Sequence, residues 1–83
     1  MKIYPNPVTT AFRVDMTCAG NKEIAIDLLD LNGRKVQTLH TGKVIEGFNS
    51  ISLSMDKSIP AGLYILRVQG SGIHFLARLV VGR

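Results

Sequence analysis

Apolar side chains recur at every second position through most of this sequence, and the rhythm restarts after each cluster of Gly, Pro, Asn or Asp. In a β-strand, successive side chains point to opposite faces, so a two-residue period marks strands with one buried face. Phe12, Val14 and Met16 alternate with Arg13, Asp15 and Thr17, and Ile24, Ile26 and Leu28 alternate with Ala25 and Asp27. Val36 begins a further short run that reaches Leu39. Between these last two runs lies Asp30-Leu31-Asn32-Gly33-Arg34, and Asn-Gly suits the positive φ angles of a type I′ turn. Residues 23–41 therefore read as a hairpin.

The same reasoning extends to the C-terminal half. Phe48, Ile51 and Leu53 mark a strand entered from Glu46-Gly47, with Ser52 and Ser54 on its polar side. Residues 55–60 read as a connection with one short helical turn, and Pro60-Ala61-Gly62 punctuates the chain before the next strand. There Tyr64, Leu66 and Val68 share one face, while Ile65, Arg67 and Gln69 share the other. Gly70-Ser71-Gly72 is a tight reversal into a last strand whose apolar row is Ile73, Phe75, Ala77, Leu79 and Val81. Its opposite row, His74, Leu76, Arg78 and Val80, is half apolar, so it either packs inside the fold or helps form a docking surface. No segment sustains a 3.6-residue apolar stripe. Six or seven short strands with intervening turns predict an all-β protein, a β-sandwich with Greek-key or meander connections.

Size limits what such a fold can hold. With 83 residues the chain reads as a single domain spanning 1–83, able to close one core but not a deep pocket as well. No apolar run approaches the ~18 residues needed to cross a bilayer, and the N-terminus lacks a signal-peptide core. The single Cys18 excludes an internal disulfide framework and reads as a small hydrophobe at a strand end. Net charge is +4 and the pI about 9.7. Only Arg34 and Lys35 are adjacent, however, and no basic run is interleaved with aromatics for base stacking, which argues against nucleic acid.

Nothing in the spacing points to catalysis. His40 and His74 fall on different predicted strands outside any metal-spaced cluster, and both read as surface or rim residues. Asp27 and Asp30, three apart on a strand, would face opposite ways. The glycines mark turns, and none opens a predicted helix as a phosphate-cradling loop requires. The expectation is a protein without catalytic residues, metal or cofactor, a module that is recognised.

Tyr4-Pro5-Asn6-Pro7 is the most distinctive segment. Two prolines flanking one residue remove two backbone donors and impose extended geometry, so the segment cannot be a central strand. It reads as a stiff cap over a sheet edge, with Tyr4 anchored against the core. After it come Phe12-Arg13-Val14, the run from Ile26 through Asp30 and Gly33 to Val36, and Gly47-Phe48-Asn49-Ser50-Ile51-Ser52-Leu53. Ile59-Pro60-Ala61-Gly62-Leu63-Tyr64-Ile65-Leu66-Arg67-Val68 follows, and Ala77-Arg78-Leu79-Val80-Val81 closes the series.

This order and spacing, from Ile3 to Val81, resembles the C-terminal sorting domain of type IX secretion cargo, the Por secretion tail. The resemblance implies an immunoglobulin-like sandwich excised from the end of a larger exported protein. It implies passage through the periplasm to the cell surface or medium of a Gram-negative bacterium. The partners implied are an N-terminal cargo domain, the outer-membrane translocon and a sorting peptidase that cleaves before the Tyr-Pro-Asn-Pro region. Arg78 stands where family tails commonly carry lysine near the final apolar strand, which replaces a point charge with a planar fork.

Recognition is expected to use the last strand and its neighbours, with Arg67 and Arg78 assisting docking onto an acidic receptor and Leu79, Val80 and Val81 completing the motif. The open strand edge invites backbone pairing, from a partner or weakly from another copy. On this reading, deleting residues 79–83 leaves much of the domain folded while abolishing export. The alternatives are an immunoglobulin-like surface module binding carbohydrate or protein, and a spacer between domains. Tyr4, Tyr64, Phe12, Phe48 and Phe75 lie mostly on apolar rows, which leaves little aromatic surface for sugar stacking.

Overall fold

The alternating rows close into two antiparallel sheets packed face to face. The computed structural model describes residues 1–5 and 7–82; Asn6 of the proline motif and the terminal Arg83 lie outside the described residues. Seven strands follow in order: β1 (Lys2–Tyr4), β2 (Ala11–Cys18), β3 (Lys22–Leu29), β4 (Lys35–Val44), β5 (Gly47–Ser54), β6 (Gly62–Gly70) and β7 (Ile73–Val81). One sheet has the order β1-β2-β5 and the other β4-β3-β6-β7. This is the expected all-β, immunoglobulin-like sandwich.

Period two decides what lies between the sheets. Phe12, Val14, Met16 and Cys18 of β2 face Ile24, Ile26 and Leu28 of β3 and Tyr64, Leu66 and Val68 of β6, all buried in one cluster. Cys18 ends β2 as a buried free thiol, in the packing role read from the sequence. Met55 and Ile59, in the connection between β5 and β6, are buried as well and close one end of the core. That connection forms no helical turn. Asp56 instead holds a tight turn, accepting from the Ser58 amide at its carboxylate (2.9 Å) and from the Ile59 amide at its carbonyl (3.2 Å). Tyr64 donates its hydroxyl back to the Pro60 carbonyl at 2.7 Å, pinning the entry of β6 in the manner of a tyrosine corner.

The hairpin of residues 23–41 is present as β3–β4, but its turn is not type I′. Asn32 keeps a negative φ and only Gly33 is positive, at +85°. The Gly33 amide donates to the Asp30 carbonyl (3.0 Å), a type I turn with Gly33 just beyond its centre. The Asp30 carboxylate selects this geometry by accepting from the Asn32 and Arg34 amides, each at 2.9 Å. Asp30 therefore lies past the end of β3, in the turn, and its relation to Asp27 is not one of opposite strand faces.

Phe48 is a second correction. It pairs with Thr17 on the outward side of β5 together with Ser50, Ser52 and Ser54, and is 65% exposed. Asn49 takes the inward position beside Ile51 and Leu53, and its amide holds the preceding turn through the Ile45 amide and the Ile45 and Gly47 carbonyls.

Gly70 is required by a close approach. It pairs with Ile24, and a β-carbon there would land on the Glu23 carbonyl oxygen, main chain that cannot swing away. Gly70→Ala is expected to destabilise the domain by about 2 kcal/mol, the scale of overpacking. Gly20→Ala, where nothing lies within 4 Å, should stay within about 0.5 kcal/mol. Urea denaturation of the two variants checks the contrast.

Candidate functional site

The segment that reads as a cap begins in one sheet and ends on the other. β1 pairs with β2 through Lys2↔Asp15, Ile3↔Val14 and Tyr4↔Arg13, and the chain then leaves by a cis Tyr4–Pro5 peptide. Three residues later Val8 is fully buried and docks parallel to Val81. Its amide donates to the Val80 carbonyl (2.9 Å), and its carbonyl accepts from the Gly82 amide (2.8 Å). Pro7 is exposed and lies against Gly82, where an added β-carbon would be 3.2 Å from the proline ring. The proline segment thus covers one end of the β7 edge, as its stiffness suggested. Tyr4 does not anchor the core. Parity places it on the outer face, where its hydroxyl donates to Asp15 Oδ1 (3.2 Å) and Lys2 Nζ lies 5.4 Å from its ring centre. Ile3, one residue away, packs against the core instead.

The apolar row of the last strand is buried only at its C-terminal end: Phe75 is exposed, and Ile73 and Ala77 are half-buried. Leu79 and Val81 are buried, so they belong to the core and not to a surface available for reading. Deletion of residues 79–83 would remove both, together with the partners of Val8, and would unfold the domain. The opposite row does not pack inside the sandwich: Leu76 is 59% exposed, and Val80 and Arg78 are exposed beside it.

On that outer face, Arg67↔Leu76, Ile65↔Arg78 and Leu63↔Val80 are three alternate rungs of β6 and β7. Arg78 is therefore flanked by Ile65 across the ladder and by Leu76 and Val80 along its own strand. A shallow hollow is lined by Ile65, Leu76, Ala77 and Arg78. Gly62 opens β6 opposite Val81, at the end of the same ladder. Asp30 and Gly33 are at the β3–β4 turn, and Tyr64 is inside, so these motif residues shape the fold and do not join the outer patch.

Arg67 is not a free docking cation. Its Nη2 donates to Asp27 Oδ2 at 2.9 Å, and Asp27 is only 3% exposed although it faces outward from β3. Arg67 covers it, and the arginine Nε is itself buried without a hydrogen-bond partner. Sequence reasoning missed this pair. The available signal was an acid and a base on two predicted strands, but their register, Asp27↔Arg67, could not be read from spacing. Arg78, by contrast, has no carboxylate partner among the described residues.

The other candidates stay apart. His40 is half-buried opposite Ile26 and His74 is exposed on β7. Among the described residues no three of His, Cys, Asp and Glu gather in a way that could hold a metal. An open groove lies between the start of β3 and the β6–β7 turn, lined by Glu23, Gln69 and His74 among others. The exposed aromatics Phe48 and Phe75 lie on different sheets, so they form no common stacking platform.

Comparison with known proteins gives one match. A family model described as a secretion system C-terminal sorting domain covers residues 2–82. No curated protein and no solved structure matches.

The ion pair makes its own test. Asp27→Ala leaves Arg67 desolvated without its partner and should cost about 2 kcal/mol, below the value for a fully buried pair because Arg67 retains 27% side-chain exposure. Replacing both residues by Leu should recover most of that loss. Chemical denaturation of the single and double variants measures both.

Proposed function

The chain belongs to the family of type IX secretion system C-terminal sorting domains, and we propose on that basis that it is a non-catalytic export address, read in its folded form. Family membership supports a domain that follows a cargo protein and marks it for passage across the outer membrane to the surface or medium. On this reading the translocon is the receptor, and a sorting peptidase then cuts upstream of Tyr4. The chain is the substrate of that cut.

The observation that carries the proposal is the outward row of β7. Leu76, Arg78 and Val80 expose apolar and cationic surface together on a strand anchored in the core by Leu79 and Val81. Neighbouring exposed apolar side chains that form one patch are the mark of a docking face. Arg78 is the cation this face offers, because Arg67 is held by Asp27. The complementary receptor surface is apolar with acidic groups, and the contact weakens as salt is raised.

Point substitutions test this where truncation cannot. Leu76→Thr, Val80→Thr and Arg78→Glu leave buried positions untouched and keep strand-compatible side chains at the two apolar sites, so each should change stability by less than about 1 kcal/mol. Fused behind a periplasmic reporter in a host with the secretion system, the triple variant is expected to stay in the periplasm while the parent domain is exported. A host lacking the system should retain both. Undiminished export of the folded triple variant would overturn the assignment of this row.

A further inference from the structure

Three consecutive main-chain amides in the β3–β4 turn all donate to one residue. Those of Asn32 and Arg34 end on Asp30 Oδ1, each at 2.9 Å, and that of Gly33 between them ends on the Asp30 carbonyl at 3.0 Å. The Asp30 amide in turn donates to the Arg34 carbonyl at 2.8 Å, so the turn is closed from both sides. The Asn32 side chain takes no part. It is exposed, and among the described residues its carboxamide makes no hydrogen bond.

The other described asparagines are occupied. Asn21 accepts from the Glu46 amide at 2.9 Å, and the Asn49 carboxamide holds the Ile45–Gly47 turn. Each of them precedes a residue that carries a side chain, Lys22 or Ser50, within a strand. Asn32 alone precedes a glycine, and a β-carbon on Gly33 would meet nothing within 4 Å. The Gly33 nitrogen is therefore an unhindered nucleophile beside a carboxamide that is free to turn toward it.

We propose that Asn32 is a site of spontaneous deamidation and that Asp30 sets its rate. The Gly33 nitrogen gives its proton to water and attacks Asn32 Cγ. A succinimide forms as the side-chain nitrogen takes a proton from water and leaves as ammonia. Water then opens the ring. Breaking the new N–Cγ bond leaves an aspartate, whereas breaking the original peptide bond leaves an isoaspartate, with the main chain rerouted through the former side chain. The sum is one water in and one ammonia out, with no oxidant or reductant. Asp30 opposes the first step in two ways. The attacking amide must give up its hydrogen bond while both neighbouring amides stay bound to the carboxylate, and a carboxylate this close disfavours the amide anion. Isoaspartate adds a main-chain atom among amides that converge on one residue, so the three can no longer all reach Asp30. The turn then loosens beside the Leu29↔Lys35 rung of β3 and β4.

Site-resolved mass spectrometry of the chain incubated at mildly alkaline pH tests this. Conversion is expected at Asn32, with Asn21 and Asn49 intact over the same period. Asp30→Ala, shown to be folded by circular dichroism, should convert about tenfold faster, the effect of losing one charge-assisted hydrogen bond. Asp30→Asn keeps an acceptor and should fall between the two. In concentrated urea the parent and Asp30→Ala should convert at one rate, and the parent faster than when folded, a comparison that holds even where Asp30→Ala does not fold. The isoaspartate product, separated from the aspartate product of equal mass and charge, should melt about 5 °C lower. Four results would each overturn the proposal: conversion of Asn21 or Asn49 as fast as Asn32, equal rates for the parent folded and in urea, an unchanged rate in folded Asp30→Ala, or products that melt together. None of these readouts depends on export.

Discussion

The fold hangs on one residue that belongs to both sheets' business. Val8 follows the strand that begins the three-stranded sheet, yet its main chain is clamped between Val80 and Gly82 of the four-stranded one, and its side chain is fully buried. Two backbone hydrogen bonds and a buried valine tie the first turn of the chain to its last. The proline at position 7 keeps this tie local, because it cannot donate to a ladder and stiffens the approach. An address made of the C-terminal strand alone would be a loose peptide, flexible and open to proteolysis. Clamped this way, the last strand is displayed only by a domain that has folded from end to end.

The outer face of the four-stranded sheet shows how a surface can be both fixed and available. At its centre Asp27 and Leu29 are buried although they point away from the core, with Arg67 bound over the aspartate. Such a pair contributes little net stability, since desolvation offsets most of the attraction. It joins β3 and β6 across one rung and removes one arginine from the surface. Arg78, two rungs further along and one strand further out, has no carboxylate partner among the described residues and lies among apolar neighbours. Two arginines that look equivalent in the sequence are thus assigned opposite roles by the strand each one sits on.

Much of this was legible in the sequence because period two is a local property. The rows Phe12-Val14-Met16, Ile24-Ile26-Leu28 and Tyr64-Leu66-Val68 name their own buried faces, and the ordered motifs from Tyr4 to Val81 carried the family. The misses share one cause, which is that spacing carries no information about the neighbouring strand. Phe48 and Ile51 are separated by an odd interval and so face opposite ways, and the pairing of β1 with β2 turns Ile3, not Tyr4, toward the core. The turn at Asn32-Gly33 was assigned from its dipeptide, whereas the Asp30 carboxylate, two residues earlier, decides its type. The Asp27–Arg67 pair required the register of strands forty residues apart.

Edge protection in this fold is lopsided, and the asymmetry bears on function. An unprotected strand edge is a hazard during export, when many copies of one domain pass through the same compartment and aggregation is the common fate of flat apolar edges. β4 meets that hazard with bulges and lysines, and the Val8 hook meets it at one end of β7. The remaining stretch, His74 to Arg78, is left regular, apolar and unpaired among the described residues. Leu76 and Arg78, the residues whose backbone is unpaired there, are also the residues whose side chains face outward on the proposed docking row. Anything that pairs with this edge therefore also touches that row.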